Sequence, residues 1–343
     1  MMMLPSPDEP FYGVCPLTSG GNLYPKVWDE VITTFSKNDK IMVIGGTDRG
    51  KSTFSLYASM KMDLPLLDAD IGQATVPPPT VIKISSDRIT IDAGFFVGST
   101  TAVKNMLGHI LGTYILSRRS RGMIIDTCGL VRGSEGFWLK FTKVLLVNPD
   151  VIIAMSRSGD LDHILSVVSE FFTGEIIDIG ASPYARKRGF EERYMRRKMK
   201  FKLYFGEGKI VEIQSPKFFS FPSKWNIEKH VLAALTGSCA YKVALVGDTI
   251  YGICREYSSK LSRLKRVFNA SRTVFLDEKQ LKNTLVGLYS RGEFLGIGIV
   301  EETDFKEDTI RIYTSDRFDT SKEVTAIQLG YLKLTRDGDE LKG

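Results

Sequence analysis

The chain has 343 residues, of which 43% are hydrophobic and 25% charged, with 31 Gly, 13 Pro and four Cys; that is the composition of an ordinary globular protein, long enough for two domains. Its net charge of +6 is concentrated, because Arg186–Lys202 holds nine basic residues and two acids, leaving the rest of the chain at −1. No apolar run approaches the roughly 20 residues of a membrane helix, Met1–Leu4 lacks a basic lead and stops at Pro5, and the cysteines (Cys15, Cys128, Cys239, Cys254) are widely spaced with no CxxC pair. Membrane protein, secreted disulfide scaffold and zinc module are therefore disfavoured, and a cytoplasmic protein with reduced thiols is expected.

Residues 1–24, rich in Pro, Gly and Ser, read as an irregular arm, followed by a short amphipathic helix over Val27–Phe35. The apolar run Lys40–Gly45 predicts a buried strand and Lys51–Met62 a helix. Further strands are predicted at Pro65–Leu67, Val81–Ile84, Ile89–Ile91, Met123–Ile125, Val151–Met155 and Ile176–Ile179. Helices are predicted at Ala102–Leu116, Phe137–Leu146, Leu161–Phe172 and Ala185–Lys202. Such alternation implies a mostly parallel sheet covered on both faces. Beyond Lys224 comes a helix at Trp225–Leu235 and then short strands with turns: Tyr241–Val246, Gly252–Cys254, Arg272–Leu276, Leu285–Ser290, Gly296–Glu301, Thr309–Thr314 and Glu323–Leu329. The expected organisation is α/β: an N-terminal arm and helix (1–38), a P-loop NTPase domain (39–224) with an arginine-rich segment (185–202), and a smaller β-rich C-terminal domain (225–343).

Between the first predicted strand and helix, Gly45-Gly46-Thr47-Asp48-Arg49-Gly50-Lys51-Ser52 matches G-x-x-x-x-G-K-[ST]. Glycines let successive amides point at phosphate oxygens, the helix N-terminus favours negative charge, Lys51 reaches the β- and γ-phosphates, and Ser52 offers a hydroxyl to Mg²⁺. A nucleoside-triphosphate site follows. The later segment Ala154–Asp160 does not match the Asn/Thr-Lys-x-Asp guanine reader, which disfavours a GTPase.

Two sets of acids end apolar runs: Asp68 and Asp70 in Leu66–Gln73, and Asp126 in Ile124–Gly129. Ligands of open α/β sheets bind at the carboxyl ends of strands. Asp68 and Asp70, two apart, would project to one face of an extended chain, one helping hold Mg²⁺ and one accepting a hydroxyl proton. Asp126 could organise the metal, with Thr127 near the phosphates, or cap a helix. In the arginine-rich segment Arg193 and Arg197 are four apart, on one helix face, and suit either a γ-phosphoryl group or a nucleic-acid backbone.

In order and spacing, Gly45–Thr53, Asp68-Ala69-Asp70-Ile71-Gly72-Gln73, Thr127-Cys128-Gly129 and Arg193-x-x-x-Arg197 before Tyr204-Phe205-Gly206 resemble the Clp/Grc-type polynucleotide 5′-hydroxyl kinases. Members of that family act in mRNA 3′-end formation, tRNA splicing and rRNA processing, and this chain looks like a short archaeal-type member. The resemblance is specific over about residues 40–206. It implies that Gly45, Gly46, Thr47, Asp48, Arg49, Gly50, Lys51, Ser52 and Thr53 bind ATP, and that Ser52, Asp68 and Asp70 serve Mg²⁺. Asp70, with Asp68, would activate a 5′-hydroxyl. Gln73, Thr127 and Gly129 would bind the substrate end, and Arg193 and Arg197 would form a lid. The implied activity is phosphoryl transfer from ATP to single-stranded or end-exposed RNA, with DNA as a second candidate. A non-catalytic scaffold and a small-molecule P-loop kinase are the alternatives.

Overall fold

The structure, a computed structural model, describes residues 24–237 and 239–341. Most of the expected N-terminal arm, with Cys15, lies outside the described residues. The chain divides into two compact units, Met1–Arg197 and Lys198–Gly343.

Unit 1 contains α1 (Lys26–Ile32), β1 (Lys40–Gly45), α2 (Lys51–Met62), β2 (Leu66–Ala69), β3 (Val81–Ser85) and β4 (Ala93–Phe96). These are followed by α3 (Met106–Ser117), β5 (Met123–Thr127), α4 (Gly133–Val147), β6 (Val151–Met155), α5 (Asp162–Phe171), β7 (Glu175–Asp178) and α6 (Phe190–Phe205), which runs past the unit boundary. The sheet order is β4-β3-β2-β5-β1-β6-β7. From β2 to β7 all pairings are parallel, while β3 and β4 add an antiparallel edge.

Side chains of β1 alternate between faces. Met42 and Ile44 pack with Val144 and Val147 of α4 and Ile164 and Val168 of α5. Ile41 and Val43 meet Trp28 and Ile32 of α1 and Phe54, Ala58 and Met62 of α2. Burial on both faces explains why these strands read as continuous apolar runs.

Several expected elements differ from those found. Ile89–Ile91 is a turn rather than a strand: the Asp87 carboxylate accepts from the amides of Ile89 (2.8 Å) and Thr90 (2.7 Å), and pairing resumes only at β4. Residues 102–105 form a 3₁₀ turn before α3. α6 begins at Phe190 instead of 185, because Arg186 and Arg188 lie on a preceding loop fastened to Glu192 and Asp48.

Unit 2 holds β8 (Lys209–Gln214), α7 (Lys229–Thr236), β9 (Ala240–Val246), β10 (Thr249–Cys254), α8 (Ser262–Val267), β11 (Arg272–Asp277) and α9 (Glu278–Leu281). Then come β12 (Thr284–Ser290), β13 (Glu293–Asp304), β14 (Thr309–Thr314), β15 (Ala326–Leu334) and β16 (Glu340–Leu341). An antiparallel sheet of order β16-β15-β12-β13-β14-β8 accompanies a three-stranded sheet, β11-β10-β9, in which α8 crosses between the parallel strands β10 and β11. This is the β-rich region anticipated beyond Lys224, although β8 and its edge pairing with β14 begin earlier.

Candidate active site

The strand β1 delivers the chain into the loop Gly46–Gly50, and α2 leaves from it at Lys51. Gly50 caps the helix with φ +94°, and a Cβ there would lie 2.7 Å from the Ser182 Cβ, so conformation and space both require glycine. Lys51 is buried and its Nζ donates to the Gly46 carbonyl at 2.8 Å, which folds the ammonium over the loop it serves. Two neighbours brace the loop from outside. Arg49 pairs with Asp160 at 2.7 Å, and the Asp48 carboxylate accepts from Arg193 at 2.6 Å and from the Arg188 amide at 3.0 Å. These contacts hold both aspartates in the ionised form, against the opposing effect of partial burial.

Gly129 backs the loop. A Cβ on it would stand 2.8 Å from both the Cα and the N of Thr47, so only a bare backbone fits. Just before it, Thr127 is buried, donating to the Val43 carbonyl (2.7 Å) and accepting from Lys140 Nζ (2.8 Å). Lys140, itself fully buried in α4, also donates to the Cys128 carbonyl at 2.5 Å. A lysine that reads as surface in the sequence thus ties the end of β5 to α4 beneath the phosphate loop.

Asp68 and Asp126 are register partners at the carboxyl ends of β2 and β5, and Asp70 follows on the turn after β2. Asp68 is fully buried and committed to local structure. Its two oxygens accept from the amides of Asp70 (3.1 Å) and Val76 (2.9 Å), and Lys83 Nζ lies 3.8 Å away. Burial pushes Lys83 down to about 8, opposed by the charges of Asp68 and Asp70. Asp70 is only partly buried, and its Oδ1 accepts from the amides of Gly72 (3.0 Å) and Gln73 (2.9 Å), setting the turn that carries Gln73. Gln73 Nε2 reaches the Arg193 carbonyl at 3.4 Å, so this turn touches the start of α6.

Asp126 differs from both. It is fully buried, Thr75 Oγ1 approaches its Oδ2 at 3.5 Å, and its Oδ1 has no hydrogen-bond partner. Burial and, next, the Asp68 charge push its carboxyl up to about 7, while Lys51 and the Ser52 hydroxyl pull it back. A buried carboxyl oxygen without a hydrogen-bond partner, close to Lys51 and Ser52, has the chemistry to ligate a cation.

The structure therefore brings together the phosphate loop, Asp70, Gln73 and Arg193, and it places Asp126 beside Ser52. Asp68 and Thr127 sit deeper, holding the strand ends in place. In the sequence Asp126 reads equally as a metal organiser or a helix cap, and nothing local singles out Lys83, Asp160 or Arg188. For Lys140 a signal exists: it falls on the stripe Gly136, Leu139, Val144 and Val147, the buried side of α4.

Fold and site together define a P-loop nucleoside-triphosphate-binding protein. Residues 45–207, just under half of the chain, match the model of the family described as mRNA cleavage and polyadenylation factor CLP1 P-loop. Curated relatives include proteins named polyribonucleotide 5′-hydroxyl-kinase. The one from Methanocaldococcus jannaschii is 27% identical over 329 residues, covering 88% of this chain and 89% of its own. That from Thermococcus kodakarensis is 29% identical over 339 residues, covering 91% and 93%. Among solved structures, a Clp1p–Pcf11p complex superposes with a TM-score of 0.55 at 9% identity, over 90% of this chain and 77% of the matched chain, a likeness of fold.

Proposed function

We propose that this protein is an ATP-dependent polyribonucleotide kinase that transfers the γ-phosphate to the 5′-hydroxyl end of RNA. The observation that carries the reading is a convergence within unit 1. The P-loop lysine folds over its own loop, Arg193 is fastened to that loop through Asp48, and the turn held by the partly buried Asp70 reaches the Arg193 carbonyl through Gln73. The curated relatives, similar along nearly their whole length, carry the same activity in their names.

In this reading the loop amides and Lys51 hold the β- and γ-phosphates. Asp70 accepts the proton of the 5′-hydroxyl as its oxygen bonds to the γ-phosphorus and the bond to the β-phosphate oxygen breaks, leaving ADP and a 5′-phosphate. Arg193, released from Asp48 when phosphate charge competes for it, covers the transferring group, and Arg197, one turn on, extends that cationic face. Among the described residues no three acids, histidines or cysteines converge to hold a metal alone. Mg²⁺ needs no such cluster, since it takes one or two protein oxygens and fills its shell with phosphate and water. Ser52 and Asp126 fit that role, and there the ion would offset charge on the β- and γ-phosphates. Asp126 replaces Asp68 in this assignment because both oxygens of Asp68 are already engaged.

The test is transfer of labelled γ-phosphate from ATP to a short 5′-hydroxyl RNA, with 5′-phosphorylated RNA as control. Label on the 5′-hydroxyl strand alone, lost with Lys51→Ala, is the expected result. ATP binding without transfer to any 5′-hydroxyl polynucleotide would overturn the reading in favour of a nucleotide-binding scaffold.

A further inference from the structure

We propose that unit 2 carries a second RNA-binding surface, on the crossover between β10 and β11, that grips the phosphate backbone independently of the 5′ end. The identity of the polyanion rests on the kinase reading above; the surface itself rests on geometry within unit 2. Residues 255–272 hold six basic side chains and one acid, a concentration hidden in the near-neutral balance outside the arginine-rich segment.

The fold turns these charges outward. After β10 the chain passes Arg255 and Tyr257, makes a 3₁₀ turn over Ser259–Leu261 and enters α8. Leu261 and Leu264 are buried against Val243 and Ile250 of the small sheet, which leaves Lys260, Arg263, Lys265 and Arg266 exposed. Lys260, Arg263 and Arg266 follow at intervals of three, so neighbouring Cβ atoms form a row spaced about 5–6 Å apart. Among the described residues neither these four nor Arg255 makes an ion pair. The single acid, Glu256, is turned to Lys279 at 2.6 Å and does not neutralise the row.

The same crossover carries an aromatic ring, between Arg255 and Lys260 in the chain. Tyr257 is 60% exposed, its amide donates to the Asp277 carboxylate at 3.2 Å, and its ring meets Phe275 edge-on at 6.2 Å. A held, open aromatic face on a basic crossover matches single-stranded nucleic acid, whose bases stack while its phosphates follow a basic track. The choice of RNA over other polyanions follows from the kinase reading, which already brings an RNA strand to this protein.

Binding of a 5′-phosphorylated single-stranded RNA oligomer, followed by fluorescence anisotropy across a salt series, tests this without any reaction. Neutralising three cations (Arg263→Gln, Lys265→Gln, Arg266→Gln) is expected to flatten the slope of log K against log salt by about 2, at about 0.7 per phosphate contact. Tyr257→Ala is expected to weaken binding about tenfold or more. In the kinase assay the triple variant should raise KM about tenfold for a long RNA, leaving kcat and the KM for a trinucleotide unchanged. Every substituted side chain is exposed, and an unchanged melting temperature confirms the fold.

An unaltered slope together with an unaltered KM would overturn the surface. So would equal, patch-dependent binding to phosphatidylserine vesicles or polyglutamate with no effect of RNA length. Wild-type protein that binds RNA through this patch but transfers no phosphate would sink the kinase reading and leave the surface standing. Active protein indifferent to the substitutions would do the reverse.

Discussion

Lys143→Met should stabilise the protein, and the gain should depend on pH in a way set by one buried ammonium. Lys143 is fully buried on α4 and its Nζ has no hydrogen-bond partner. Burial, with Lys140 adding repulsion and Cys128 opposing, pushes its pKa down from 10.5 to about 7. In the unfolded chain the group keeps its proton to far higher pH. Between about 7 and 10.5 the unfolded state therefore binds more protons, and stability climbs with pH. Below about 7 the full cost of a buried charge is present; above 10.5 it is gone. At about 1.4 kcal/mol per pKa unit the cost approaches 4–5 kcal/mol, and local relaxation brings it to roughly 2–4 kcal/mol. Methionine keeps the length and apolar stem of the side chain without the charge. Urea denaturation of both proteins near pH 6 and near pH 10 is the assay. The variant should gain roughly 2–4 kcal/mol at the lower pH and much less at the higher one. A loss of stability at the lower pH, or a gain equal at both, would refute the reasoning and mean that Lys143 has a counter-charge or a functional ligand.

Asp68 and Asp70 should separate cleanly. Asp68→Ala leaves Lys83 buried without its carboxylate and should cost roughly 3–5 kcal/mol in denaturant unfolding. Asp70→Ala should lower turnover on the order of a hundredfold at a cost of only about 1 kcal/mol in stability, and a folded, fully active variant would remove it as the base. Gly129→Ala drives a Cβ to 2.8 Å from the Thr47 backbone; ATP affinity by calorimetry should fall about tenfold or more, and unchanged affinity would show that the loop yields freely. Asp126→Asn should reduce phosphoryl transfer at least about a hundredfold with ATP affinity in metal-free buffer nearly unaltered, and equal losses of both would point to a structural role instead.

Much of unit 1 was legible because its signals are local. Lys40–Gly45 and Lys51–Met62 appear with the bounds expected, since an apolar strand, a glycine-rich loop and a helix start are all encoded within a few residues. The turn at Ile89 was misread because three β-branched residues outweighed Asp87, whose carboxylate organises the backbone around them. The start of α6 was misread for a related reason. Arg186 and Arg188 have good helix propensity, yet their partners Glu192 and Asp48 hold them in a loop.

By itself the sequence determined a phosphate loop between strand and helix, acids at the ends of apolar runs, and an arginine-rich stretch, since each lies within a contiguous segment. Tertiary structure alone decided which neighbours each acid has. The strand order puts β5 between β2 and β1, so Asp126 stands beside Lys51 and Ser52 with an oxygen to spare, while Asp68 faces Lys83 and its own turn. Sequence spacing fixes which face of a strand a side chain occupies. Its neighbours across the sheet, and hence its charge and its role, come from residues dozens of positions away.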